Sequence, residues 1–389
     1  MTIREGQQGI LELEEPEGAT APGTVSVAGL FVGCGGLDLG FRQAGYEMAW
    51  ANEFNPDAAA SYRALVGHDV VVADIWNVLD QVPETDVLVG GPPCQAFSLA
   101  GKRLENDPRA KLVFAYAQAV ERTRPRAFVM ENVPGMSASR VDGERLPLVL
   151  GRRFSALGYE VTFHRLMASD WFVPQRRGRI VMVGHRLPGK TFRLLPPGEM
   201  ARILGEPGLA NPVTVSQALD DLPEPLPKGS REAAPYGTEA HSAYARLMRR
   251  GCGGAVTLQT MPTMSELDRE FVRHIPPGGN YADIPDEIST VRIRKFKAAG
   301  GRTTTYGRLH PDQPAYTINT YFNRPNVGAN YHHRQERLIT VREALRLQSF
   351  PDSFTPFYSN QRSLHMQVGN AVPPLLGRLL AESLRRLFL

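Results

Sequence analysis

From Val25 to Gly184 the chain alternates short apolar runs with stretches of helical spacing, an arrangement that few folds can accommodate. Val25 to Phe31, Met48 to Glu53, Val70 to Asp74, Val87 to Val89, Ala127 to Glu131, Glu160 to Leu166 and Ile180 to Gly184 read as strands. Between them, Leu37 to Ala44, Asn55 to Leu65, Lys111 to Thr123 and Leu146 to Leu157 carry apolar residues at helical spacing. Strands separated by helices become neighbours through crossovers, so the pattern predicts a doubly wound α/β sheet with its functional residues at the carboxyl ends of the strands.

Outside this stretch the pattern changes twice. Residues 1–24, rich in glutamate, glycine and proline, carry no burial pattern and read as a flexible leader. From Leu187 to Arg334 the alternation stops, and Pro188, Pro196, Pro197, Pro223, Pro225, Pro227, Pro276 and Pro277 break the chain into short pieces. That segment reads as a smaller second domain, irregular and part β. Val341 to Leu347 and Pro373 to Leu389 then read as helices that return to the first domain. The expected division is a leader (1–24), a main domain (25–187), a second domain (188–335) and a return segment (336–389).

With 389 residues, 42% of them hydrophobic and 22% charged, the chain has ample material for a large core. A net charge of +4 mildly favours a polyanionic partner. Cys34, Cys94 and Cys252 stand far apart without metal-ligand spacing, so neither a zinc site nor a disulfide framework is suggested, in keeping with a reducing, cytoplasmic setting. No apolar stretch is long enough to span a membrane.

Two turns carry the chemistry. Gly33, Gly35 and Gly36 lie between the first strand and the first helix, where backbone N–H groups can approach a ligand at a helix N-terminus; Glu53 ends the next strand, where an acid can hold ribose hydroxyls. Gly90 to Gln95 follow the apolar run Val87 to Val89 and set Cys94 behind Pro92 and Pro93 on a stiff turn. A cysteine presented in this way suits a nucleophile.

The order and wording of the blocks resemble the C5-cytosine DNA methyltransferase family. Leu30 to Phe41 reads LFVGCGGLDLGF, residues 90–98 read GGPPCQAFS, 131–135 read ENVPG, 174–179 read PQRRGR, 337–354 read RLITVREALRLQSFPDSF and 367–374 read QVGNAVPP. The resemblance implies a Rossmann-like S-adenosylmethionine-dependent domain with a smaller target-recognition domain in the middle stretch. It implies that Glu53 holds the ribose of S-adenosylmethionine, that Phe31 stacks on its adenine beside Asp74 and Ile75, and that Pro93, Leu112, Asn370 and Ala371 complete the pocket. The compact architecture suits a bacterial or phage enzyme of the restriction–modification type, with a cognate endonuclease as partner, and a monomer suffices.

Cytosine C5 is too weak a nucleophile to attack a sulfonium methyl until another nucleophile adds to C6. Cys94 is the expected nucleophile, and by resemblance Glu131 shares a proton with N3. Of Arg177 and Arg179, read as alternating on one strand face, one or both are expected to hold O2 and steady Glu131. Because a stacked base cannot reach such a site, the cytosine must be flipped out of the duplex. Ser98, Lys102 and Arg103 in the loop after the nucleophile are expected to touch phosphates, as are Arg292, Arg294, Lys295 and Arg302 in the second domain. Thr303, Thr304, Thr305, Tyr321, Asn323 and Arg324 are further DNA-contact candidates, for base edges. Two alternatives stay open at this level: the same chemistry on tRNA, and a non-catalytic DNA-binding relative.

Overall fold

The computed structural model describes residues 24–93 and 111–389. The apolar runs form a seven-stranded sheet made of β1 (Ser26–Leu30), β2 (Glu47–Glu53), β3 (Val71–Val72), β4 (Val87–Gly90), β5 (Ala127–Asn132), β6 (Glu160–Met167) and β7 (Gly178–His185), in the spatial order β3-β2-β1-β4-β5-β7-β6. The first five strands of that order are parallel, while β7 runs antiparallel to both β5 and β6.

Side chains on a strand alternate between the two faces of the sheet, and here both faces are covered. Val27, Val87, Val89, Ala127, Val129, Val181 and Val183 enter one core, together with Phe41 of α1 (Gly36–Gln43) and Tyr62 of α2 (Pro56–Val66). Their neighbours Ala28, Leu88, Phe128, Met130 and Met182 enter the other, against α3 (Lys111–Thr123) and α4 (Leu146–Ala156). Strand positions thus read as continuous apolar runs because neither face meets water.

The middle of the chain is irregular, as expected, but its regular structure is helical. It contains α5 (Pro197–Ile203), α6 (Val215–Leu219), α7 (Ala243–Arg249), α8 (Glu266–His274) and α9 (Val291–Ala299), whereas its strands are two-residue pieces. Thr214, Ser242, Ser265 and Thr290 each accept a backbone N–H at the start of their helix, which lets short segments hold helical form despite the flanking prolines. Phe192, Met200, Val213, Leu219 and Tyr244 join the core of the sheet, while a separate core gathers Phe271, Ile293, Tyr306 and Tyr331.

The return segment supplies α10 (Val341–Leu347), α11 (Gln361–Asn370) and α12 (Pro374–Phe388). Of these, α11 is absent from the sequence expectation. Leu375, Leu376, Leu379, Leu380 and Leu384 of α12 bury against the first core. The two helices α1 and α12 meet backbone to backbone, since a Cβ on Gly377 would lie 2.7 Å from the Leu37 carbonyl oxygen. The end of the chain is thereby held beside the glycine loop near its beginning.

Among the described residues no helix is long and apolar enough to cross a membrane.

Candidate active site

Register brings the site residues to one edge of the sheet. Leu30 pairs with Gly90, and Gly90 with Met130, so β1 and β4 end level with Met130 while β5 continues through Glu131 to Asn132. The residues that follow are Phe31 with the glycine loop, Gly91 to Pro93, and Glu131. β7 starts at this edge because it is antiparallel, and Ile180, next to Arg179, lies opposite Asn132.

These elements line a cavity of about 850 Å³ together with α11 and the segment Thr317 to Thr320. At one end, Glu53 accepts hydrogen bonds from the backbone of Gly33 at 2.8 Å and Asn55 at 2.9 Å. Burial pushes its carboxyl above the usual range, and these N–H donors pull it back. Phe31, Gly33, Gly36, Asp74, Ile75, Pro93, Leu112, Asn370 and Ala371 all line the same cavity. Gly35 stands just behind, with φ +93° and a Cβ position only 2.6 Å from Val66, so glycine is needed there for both backbone and space. Cys34 lies between these glycines, but burial pushes its thiol up to about 12, which leaves it inert at neutral pH.

At the other end, the Arg179 Nε lies 2.5 Å from Glu131 Oε1, with both side chains 9% exposed. A Cβ on Gly91 would lie 3.1 Å from the Glu131 carboxylate, so the Gly-Pro-Pro turn passes directly beside this ion pair. Asn132 donates its side-chain amide to the Pro92 carbonyl at 3.0 Å and ties the turn to β5. The next residues in the chain, including Cys94, Ser98, Lys102 and Arg103, lie outside the described residues.

Arg177 departs from the sequence expectation. Gly178 begins β7, and Arg177 precedes it rather than alternating with Arg179 on one strand face. Its fully buried guanidinium donates to the carbonyls of Ile318, Gly369 and Ala371, each at 2.9 Å. Arg177 thus clamps the end of α11 to the Ile318 segment, and among the described residues the ion pair to Glu131 comes from Arg179.

Four groups escaped the sequence reading. Phe54, 73% exposed, stands on the cavity beside Glu53. Asn132 was visible only as part of a motif. Gln175 accepts from the Ile318 backbone at 2.8 Å and donates to the Leu347 carbonyl at 3.1 Å, and so supports the clamp. Thr317 to Thr320 become part of the wall only through the parallel pairing of Ala315–Tyr316 with Gln175–Arg176. An exposed aromatic directly after the ribose-type acid was the one available signal.

Among the other predicted contacts, Arg292, Arg294, Lys295 and Arg302 are exposed on or just after α9, but none lines the cavity. Arg324 is exposed, four residues beyond the wall residue Thr320, whereas Thr305 is buried and has no free edge to offer.

Asp38, in the first turn of α1, also lines the cavity, and neither carboxyl oxygen has a hydrogen-bond partner among the described residues. Burial pushes its pKa from 3.8 up to about 8, so it holds a proton at neutral pH. Between about pH 4 and pH 8 the unfolded chain has lost this proton while the folded chain keeps it, so stability falls by about 1.4 kcal/mol per pH unit and levels off above the folded value. Asp38→Asn, neutral and similar in shape, is expected to remove this slope and raise the melting temperature at pH 8. Melting curves from pH 5 to pH 9 check it, and parallel slopes for the two proteins would contradict it.

The match to known proteins agrees with this geometry. The model of the C-5 cytosine-specific DNA methylase family covers residues 25–386. The type II methyltransferase M.NgoFVII of Neisseria gonorrhoeae is 32% identical over 93% of this chain and 87% of its own length. M1.HphI of Haemophilus parahaemolyticus, also a type II methyltransferase, is 31% identical over 92% and 86%. Among solved structures, a prophage-encoded E. coli chain described as a DNA modification methyltransferase superposes with a TM-score of 0.69 at 23% identity, covering 94% of this chain and 99% of its own. Dnmt2 of S. pombe gives a TM-score of 0.58 at 15% identity, covering 94% and 100%. The two solved structures establish the shared fold. With residues of its glycine loop, Gly-Pro-Pro turn, Glu131 strand and 367–374 block lining one cavity and the family's model matched along nearly its whole length, the chain belongs to the C-5 cytosine-specific DNA methylases, enzymes whose chemistry implies S-adenosylmethionine as methyl donor.

Proposed function

We propose that this chain binds S-adenosylmethionine at the Glu53 end of the cavity and methylates C5 of a cytosine that is turned out of duplex DNA into the Glu131 end. The observation that carries the reading is the Glu131–Arg179 ion pair beside the Gly91–Pro93 turn, within the same cavity as Glu53. Among the described residues that line the cavity the cations are Arg177, held by three carbonyls, and Arg179, paired with Glu131, so Glu53 and Asp74 suit a diol-bearing, positively charged ligand and not a pyrophosphate.

When bound, S-adenosylmethionine supplies an electrophilic methyl group on a sulfonium. Glu53 would hold its ribose hydroxyls, and Phe31, Asp74, Ile75 and Leu112 would hold its adenine. The Cys94 thiolate forms the bond to C6, and the C5–C6 electron pair moves toward C5 and the N3–O2 side of the ring. Glu131 shares a proton with N3, while Arg179 holds O2 and keeps Glu131 oriented. Release requires loss of the C5 proton and expulsion of Cys94. Arg177 acts at one remove, by holding the Ile318 segment against α11.

The described walls of the cavity come from one chain, so one copy suffices for one flipped base. The type II naming of the relatives supports a restriction–modification setting, with an endonuclease of matching sequence preference and a cytoplasmic, DNA-bound location. Ser98, Lys102, Arg103 and the basic residues of α9 supply the phosphate contacts in this reading.

Bisulfite sequencing of plasmid and host DNA from cells expressing the chain is the test. Protected cytosines within one short recurring sequence are expected. An unprotected genome, from folded protein that binds S-adenosylmethionine, would overturn the reading.

A further inference from the structure

Flipping presents one cytosine to the cavity and leaves its neighbours in the stack, so sequence preference requires side chains at the cavity rim that meet the adjacent base pairs. Six residues of the middle segment were candidates from sequence, and the fold separates them. Thr305 is buried, and Thr303 and Thr304 do not line the cavity. Tyr321, Asn323 and Arg324 do not line it either, but Tyr321 follows directly on the wall residues Asn319 and Thr320, and Asn323 and Arg324 belong to the same turn, closed by the Arg324 N–H to the Tyr321 carbonyl.

The pair is arranged in advance. Tyr321 is 44% exposed, and the Arg324 guanidinium stacks 5.0 Å from its ring centroid. The turn that carries them is fixed from several sides. Asn319 accepts the Tyr321 N–H at 2.7 Å, Arg324 donates its N–H to the Tyr321 carbonyl at 2.9 Å, and Asn330 donates to the Arg324 carbonyl at 2.7 Å. Between them Phe322 turns inward and packs edge-on against His365 of α11, at 4.8 Å between ring centroids. A guanidinium over an aromatic face is attracted by the ring, and this contact restricts the directions in which the Arg324 N–H fork points.

We propose that Tyr321 and Arg324 together read the base pair next to the flipped cytosine, with the Arg324 fork set against the O6 and N7 of a guanine and Tyr321 holding that fork in plane. The inference rests on duplex DNA being the substrate. The fork matches guanine because that base alone offers two adjacent acceptors on its major-groove edge. Tyr321 sets the geometry and Arg324 supplies the discrimination.

The test is methylation of a duplex library with randomised bases on both sides of the target cytosine, read by bisulfite sequencing. The wild-type chain is compared with Arg324→Lys and Tyr321→Ala, and each variant's S-adenosylmethionine affinity and melting temperature are measured beside it. The wild type is expected to favour guanine at one adjacent position. Arg324→Lys keeps the charge but loses the fork, and is expected to lose that preference by about 10-fold or more while total DNA affinity holds. Tyr321→Ala is expected to weaken the same position, with cofactor affinity and melting unchanged. The inference falls if the guanine preference survives both substitutions, or if the variants lose activity equally on every flank. A wild type that modifies no cytosine in the library would instead overturn the proposed function itself.

Discussion

Replacing Cys94 by alanine is expected to reduce methyl transfer to duplex DNA below detection while leaving S-adenosylmethionine affinity as in the wild type. The reasoning starts from the substrate: without a nucleophile at C6, C5 does not become electron-rich enough to accept the methyl group, and none of the other groups of the site replaces that bond. Among the described cavity residues the only other thiol is Cys34, whose pKa is pushed up to about 12 and which is therefore no substitute. The cofactor end of the cavity, centred on Glu53, has walls supplied by other residues, so binding is expected to survive. The measurement pairs a methyl-transfer assay with calorimetric titration of the cofactor. A duplex carrying 5-fluorocytosine at the target gives a second readout, because a fluorine at C5 leaves no proton to remove and the S–C6 bond then persists. A denaturation-resistant protein–DNA adduct is expected for the wild type and absent from Cys94→Ala. Methylation by the variant at a wild-type rate would remove Cys94 from the mechanism.

Glu131→Gln is the second large effect. The amide keeps the shape of the side chain but cannot share a proton with N3 in the same way, and positioned acid–base groups contribute about 10²- to 10⁴-fold to rate. A fall of that size in single-turnover methylation is expected, with cofactor affinity unchanged. Glu131→Ala is expected to do more, since Arg179 would be left buried without its carboxylate. Removing one partner of a buried ion pair costs about 3–5 kcal/mol, so this variant should also melt well below the wild type. If Glu131→Gln retained nearly full single-turnover rates, the ion pair would be structural only.

The same pair shows how far sequence reaches. Glu131 was legible because it ends an apolar run, and the apolar run was legible because both faces of β5 are buried, with Phe128 and Met130 to one side and Ala127 and Val129 to the other. The glycine loop, Glu53 and the Pro-Pro turn were likewise readable, since each follows a strand and is punctuated by glycine or proline. Choosing between Arg177 and Arg179 was another matter. Both are arginines two positions apart, and only the start of β7 at Gly178 together with three carbonyls from distant parts of the chain separates a clamp from a partner of Glu131.

The helix α11 escaped for a related reason. Its buried face includes His365 and Gln367, polar residues that find partners only in the fold: Ser61 donates to the Gln367 side chain at 2.6 Å, and His365 packs on Phe322. Hydrophobic periodicity has nothing to register in such a helix. The short helices of the middle segment carried Ser and Thr caps that sequence can show, but their prolines and glycines outweighed that signal.

What the sequence determined by itself was local: which runs are strands, which turns need glycine or proline, and which residue types carry the chemistry, because burial on both faces and backbone restriction act within a few residues. What the tertiary structure decided was assembly: that residues near 30, 53, 91, 131, 179, 319 and 370 share one cavity. Strand register and the close approach of α12 to α1 set those distances, the first through pairs tens of residues apart and the second through segments hundreds of residues apart, and no local pattern encodes either.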